Sequence, residues 1–150
     1  MAQIGTSKLC NPWNTKNSVI SSNEIIQILR EYGLKTFPSD LSLFKQACIH
    51  TSYVNKSDIW SKQEEPMVIV DRPEGCLPLQ KADNEELEYA GDSILSGIVG
   101  TYLKERFSGQ GEGFMTNLRT EIVNNDRLGE LAMKIGLQKW LIISRHVEDV

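Results

Sequence analysis

Residues 84–95 read "NEELEYAGDSIL", and the fold turns on how this stretch is read. At about 100° per residue, Leu87, Ala90, Gly91, Ile94, Ile98 and Tyr102 form one helical stripe, while Glu85, Glu88 and Asp92 fall within about 60° of one another on a different side. The stripe predicts a helix turned towards a core, and the carboxylates share a face. Like charges four residues apart repel, so Glu88 beside Asp92 costs stability unless solvent or a cation relieves it. From the residues alone two readings stand. One is a solvated acidic face, favoured by the positive end of the helix dipole. The other is a seat for a hard cation such as magnesium, which takes oxygen ligands and commonly uses one or two carboxylates with substrate phosphates. Gly91 sits where alanine would be about 1 kcal/mol better in a helix; with Gly97 and Gly100 it predicts that another segment packs close there.

Outward from this stretch the pattern stays helical. The helix is expected to run from Asp83 or Asn84 to about Phe107, where "SGQGEG" ends it. Beyond it, Phe114, Leu118, Ile122 and Val123 predict a helix over about 113–124, and Leu128, Leu131 and Ala132 another over about 125–135, stopped by Gly136. Upstream, "SNEIIQILREYG" offers a Ser or Asn cap, apolar positions at helical spacing and Gly33 as a stop. After Pro38, Asp40 can cap a further helix through Cys48. Residues 1–22 are polar and read as a flexible lead-in to a domain over 23–150. Between 54 and 83, Pro66, Pro73, Gly75 and Pro78 break every period around "MVIV" at 67–70, which predicts an inserted loop with one small strand. Five helical patterns and one weak strand make the class all-α.

Composition narrows the function. A chain of 150 residues with 40% hydrophobic residues can bury one core. Its net charge of −4 gives no basic footprint, so a nucleic-acid partner would need local cations or metal ions. Cys10, Cys48 and Cys76 are odd in number and far apart, and with only His50 and His146 beside them no zinc spacing exists. The first residues lack a signal-peptide pattern, and no apolar run of about 18 residues is present to span a membrane. The expectation is an intracellular, cytoplasmic protein with no membrane partner.

"NEELEYAGDSIL" resembles the signature of the ribonuclease III endonuclease domain: an acidic residue, a variable one, Leu-Glu, two apolar residues, then Gly-Asp-Ser. Two flanking stretches are similar to that family as well, "FKQACIHTSY" at 44–53 and "GEGFMTNLRTEIVNNDRLGELAMKIGL" at 111–137, so the resemblance covers about residues 24–145. It implies a helical homodimer that cleaves double-stranded RNA by metal-assisted hydrolysis, leaving 5′-phosphate and 3′-hydroxyl ends. It further implies that Glu88 and Asp92 hold Mg2+, with Mn2+ as a substitute, and that Glu85 supports the catalytic site. Tyr89 matches a bulky residue that enters the partner subunit. Local cations would serve the RNA phosphates: Arg119 first, within "NLRTE", then Arg127 and Lys104.

Three departures qualify what the resemblance implies. Glu86 stands where many relatives have Arg, and Tyr89-Ala90 replaces the usual Phe-Leu. The 54–83 excursion is long, with decoration favoured over contact with RNA. The family completes its site with a downstream Asp-x-x-Glu helix, which is not visible before Val150; Asp149 is a poor stand-in, since its Glu would fall beyond the chain. The C-terminal part of the domain is therefore expected to be absent, and the alternative is an inactive ribonuclease III-like dimerisation or RNA-binding module. His50 is expected to pack rather than to catalyse.

Overall fold

The computed structural model describes residues 8–57 and 67–148. In chain order it contains β1 (Lys8–Cys10), α1 (Ser22–Glu31), α2 (Ser42–Ala47), a 3-10 turn at Thr51–Tyr53 and β2 (Met67–Ile69). There follow α3 (Glu85–Arg106), α4 (Glu112–Ile122), α5 (Asn125–Ile135), a 3-10 turn at Leu137–Trp140 and α6 (Arg145–Glu148). The fold is mostly helical, as the periodicity predicts. The chain divides into two compact units, Met1–Asn84 with Trp140–Val150, and Glu85–Lys139.

In the first unit α1 begins on a reciprocal cap. The Glu24 N–H donates to Ser21 Oγ, and the Ser21 N–H donates to Glu24 Oε2 at 2.8 Å, which satisfies two amides that a helix start leaves without partners. The Ser21 hydroxyl, and then its amide, hold the Glu24 carboxyl below its ordinary value. Ahead of α2, Asp40 Oδ1 takes the Ser42 N–H at 2.8 Å, but from one position before the cap: the cap residue is Leu41, which makes no side-chain cap bond, so the cap expected at Asp40 is displaced by one residue.

Two apolar clusters form the core of this unit among the described residues. Ile20, Ile25 and Leu41 gather Ile28, Leu29 and Trp140 around them. Ile49, Tyr53, Val54 and Ile142 gather Trp13, Leu77 and Leu79. Tyr53 is fully buried, and its hydroxyl donates to Leu77 O at 2.9 Å, so the phenol is not left as an orphan in the apolar cluster. The Trp13 ring meets it edge-on, with centroids 6.4 Å apart, while Trp13 Nε1 donates to Val70 O.

Two expectations for this unit are corrected. The stretch 8–22 of the lead-in is built into the fold. It supplies β1, which pairs in parallel with β2 (Leu9 opposite Val68), and the buried Asn14, Asn17 and Ile20. The reason lies in the asparagines. Asn17 Oδ1 accepts from the Ile143 N–H and its Nδ2 donates to Ile143 O, so one side chain pairs with a backbone as a strand would. Asn14 Nδ2 also reaches Ile143 O. The 54–83 loop likewise contributes β2, a bridge from Val54 to Gln80, buried Cys76, and Leu77 and Leu79 against the core. Its residues 58–66, Trp60 among them, lie outside the described residues.

In the second unit, α3 packs against α4, and Phe107 meets Phe114 across the connection with centroids 5.5 Å apart. Gly109 and Gly111 allow that tight return, with φ of 90° and 82° in the region that only glycine enters cheaply. Asn124 caps α5 by accepting the Arg127 N–H at 2.9 Å, and Gly136 ends it in the left-handed conformation.

Ile142 is 2% exposed at the heart of its cluster, so Ile142→Ala is expected to lower the unfolding free energy of the chain by about 2–5 kcal/mol in urea titration. The cap makes a pH-dependent prediction. Because the folded-state Glu24 value is depressed, its contribution is present above the ordinary carboxylate range and is lost as the pH falls through the folded-state value. Ser21→Ala should raise the Glu24 titration midpoint, read by side-chain NMR.

Candidate metal and nucleic-acid site

Helix α3 carries Glu85, Glu86 and Glu88 in its first turn and Lys104 and Arg106 in its last, the arrangement that the helix dipole favours at each end. Glu85, Glu88 and Asp92 are all exposed. Followed at 100° per residue, the side that bears these carboxylates continues into Leu95, Val99 and Leu103. There it is the covered side: Leu95 and Val99 are half-buried, and Leu103 is 1% exposed. One helix face thus changes from acid to apolar along its length, and the acids stand at its wet end.

The stripe expected to face a core points out instead. Ile94, Ile98 and Tyr102 are 64%, 63% and 57% exposed, and only Leu87, in the first turn, is half-buried among the large members of the stripe. The physical reason is that α3 is apolar on two sides, so periodicity alone could not say which one the chain covers. Between the exposed ridges lies an open groove lined by Ser93, Ile94, Gly97, Ile98, Thr101 and Tyr102. The close approach expected at Gly91, Gly97 and Gly100 is not found; a Cβ on any of them would meet nothing within 4 Å. Ser93 and Thr101 turn their hydroxyls back onto the helix, to Tyr89 O and Gly97 O.

The structure therefore places Glu85, Glu88 and Asp92 on one solvent-facing side, with Tyr89 exposed in the same first turns. Lys104 sits at the far end of α3, about 18 Å along the axis from Asp92 at 1.5 Å per residue. Arg119 is exposed on α4, and Arg127, on α5, is paired with Glu130 at 2.9 Å. Among the described residues no group of three or more His, Cys, Asp or Glu side chains could hold a metal ion. The donors that this face offers, on Glu85, Glu88 and Asp92, are all carboxylate oxygens, the ligand type that magnesium takes together with water and phosphate. Glu148 is committed elsewhere: its carboxylate binds Lys16 Nζ at 3.0 Å and Asn14 Nδ2 at 2.9 Å, and Lys16 holds its carboxyl below the ordinary value. Asp149 lies outside the described residues.

His50 packs, as expected of it, though with a defined task. It caps the 3-10 turn, its Nδ1 accepting the Ser52 N–H at 3.1 Å. Asn14 and Asn17 were not singled out by the sequence; the only signal was their density in a stretch that reads as linker. No described helix is long and apolar enough to cross a membrane.

Comparison with known proteins adds to this geometry. The ribonuclease III domain family matches residues 85–149, from the first turn of α3 onwards. A probable ribonuclease 3 of Acanthamoeba polyphaga mimivirus is 31% identical over 148 residues, 97% of this chain and 26% of the relative. Ribonuclease 3 of Phocaeicola vulgatus is 38% identical over 114 residues, 75% of this chain and 31% of the relative. The chain thus spans about a quarter to a third of the length of these curated relatives. The nuclease domain of ribonuclease III from Campylobacter jejuni superposes with a TM-score of 0.59 at 23% identity, covering 86% of this chain and 67% of that one, a likeness of fold.

The two sides of α3 should respond differently to truncation. Leu103→Ala is expected to cost about 2–5 kcal/mol in urea unfolding, whereas Ile98→Ser, on the open stripe, should change the stability of the single chain by less than about 0.5 kcal/mol.

Proposed function

Because this chain belongs to the ribonuclease III family, we propose that it supplies the carboxylate half of the catalytic centre of a magnesium-dependent endoribonuclease that cleaves double-stranded RNA. The single observation that carries this reading is the exposed face of Glu85, Glu88 and Asp92 at the start of α3, where the family match begins. Three acids on one wet face are suited to holding a cation, and through it an anionic substrate, rather than to packing.

In this reading Glu88 and Asp92 hold the ion through their oxygens, and Glu85 supports them from the turn before. A bound magnesium ion supplies charge neutralisation at the phosphate oxygens and lowers the pKa of its water, and manganese can substitute. Arg119, Arg127 and Lys104 serve the RNA backbone as phosphate contacts, which position a duplex without reading its sequence. Arg127 must exchange its Glu130 partner to do so. Tyr89, the most exposed large apolar side chain of α3, is the contact offered to a second copy in a homodimer; the uncovered stripe of Ile94, Ile98 and Tyr102 on another side of the same helix also supports an assembly on it. The unpaired Cys10, Cys48 and Cys76 suit a reducing, cytoplasmic setting.

In a cleavage assay on paired RNA with magnesium, Asp92→Asn is expected to lower the rate by more than about 100-fold, the upper end for removing even an outer partner of a metal ligand. Circular dichroism should show its helix content unchanged. Magnesium at ten times its Kd should add about 1.4 kcal/mol to the stability of the chain and none to Asp92→Asn. Undiminished cutting by Asp92→Asn, or the same magnesium response in both, overturns the assignment.

A further inference from the structure

Three parts of the first unit, the stretch 11–16, the loop at Pro73 and Cys76, and α6, enclose a cavity of about 330 Å3. None of its lining residues belongs to α3, so it is separate from the acidic face. The lining divides by chemistry. Trp13, Pro73 and Cys76 offer apolar surface, whereas Lys16, Arg145 and Glu148 bring charge and the asparagines bring amides.

The wall is set before anything binds. Asn11 Oδ1 accepts the Trp13 N–H at 3.2 Å, and Asn14 Oδ1 accepts the Lys16 N–H at 2.9 Å. The Trp13 indole is fixed as well, its Nε1–H donating to Val70 O at 2.7 Å. The Arg145 N–H donates to Pro12 O at 3.3 Å, which fastens α6 to the same stretch. Groups held in this way lose little conformational freedom when a ligand arrives.

Charge and size narrow the ligand. Lys16 Nζ lies 3.0 Å from Glu148 Oε1, and Asn14 Nδ2 donates to Glu148 Oε2 at 2.9 Å. Lys16, then Asn14, and the charge of Arg145 hold the Glu148 carboxyl below its ordinary value. An oxyanion is therefore already gripped by the kind of group that binds phosphate. Two cations against one carboxylate leave the lining a surplus positive charge, in a chain whose net charge is −4. Ligand pockets run from about 300 to 1,000 Å3, and this one, at the low end, has room for one ring system with one anionic group. We propose that the cavity binds a nucleoside 5′-monophosphate, free or at the end of a strand, its base against Trp13 and its phosphate on Lys16 and Arg145 in competition with Glu148.

The test titrates the whole chain with adenosine 5′-monophosphate and follows the Trp13 indole N–H by nitrogen-15 NMR. A saturable shift at Trp13 is expected. Inorganic phosphate should bind about tenfold more weakly, because stacking on the aromatic ring is lost. Two substitutions should move the nucleotide affinity in opposite directions. Lys16→Gln, at a side chain 75% exposed, should weaken it about tenfold by removing a charge-assisted hydrogen bond. Glu148→Gln keeps an acceptor for Asn14 but removes the competing charge, and should tighten binding about threefold. A 5′-phosphorylated trinucleotide that binds as well as the mononucleotide supports the site as a receptor for strand ends, and its exclusion supports a site for the free nucleotide. The proposal is overturned by no Trp13 shift at millimolar nucleotide, by inorganic phosphate binding as tightly as the nucleotide, or by Lys16→Gln binding like the wild type.

Discussion

Cys48, Ile49 and His50 hold both ends of the excursion that carries the carboxylates. The Asn84 N–H donates to Ile49 O at 2.9 Å immediately before α3 begins. The returning strand-like segment binds Cys48 O and the His50 N–H through Ile142. Three residues thus anchor the exit and the return of residues 85–139, while their side chains and near neighbours build the cluster of Ile49, Tyr53, Val54 and Ile142 beneath. Backbone pairing and apolar burial act at the same place, within the stretch "CIHTSY".

The helices were legible because each carries its own punctuation. Ser21 with Glu24, Asn124 at the start of α5 and Gly136 at its end are local signals, and local signals survive without knowledge of the tertiary fold. The N-terminal stretch was not legible for the opposite reason. Asn14 and Asn17 look like linker residues, and what makes them structural is Ile143, more than a hundred residues away in the chain. β1 is three residues long and has no period to detect, so its partner β2 was visible as an apolar run while β1 was not.

The candidate site shows the same division. The common side of Glu85, Glu88 and Asp92 follows from spacing on any helix. The outward turn of Ile94, Ile98 and Tyr102 does not, because α3 offers apolar side chains on both flanks and the choice between them depends on which segments are present to cover each. Spacing also could not tell that Glu148 is drawn to Lys16 and Asn14, which takes it out of contention as a ligand. An acidic chain and an affinity for a polyanion are compatible here, since the carboxylates are gathered at one helix start and cations lie elsewhere on α3, α4 and α5.

The asparagine contacts to Ile143 also set an order of events during synthesis. Helices α3, α4 and α5 are built from neighbours in sequence and need little chain closure to form. The first unit cannot close until Ile142 and Ile143 have been made, because Cys48, His50, Asn14 and Asn17 all wait for that segment. Until then Tyr53 and its apolar neighbours lack one wall, an interval in which a growing chain exposes hydrophobic surface to other molecules. The fold therefore ties the solubility of its own N-terminal half to the arrival of a few residues near position 142.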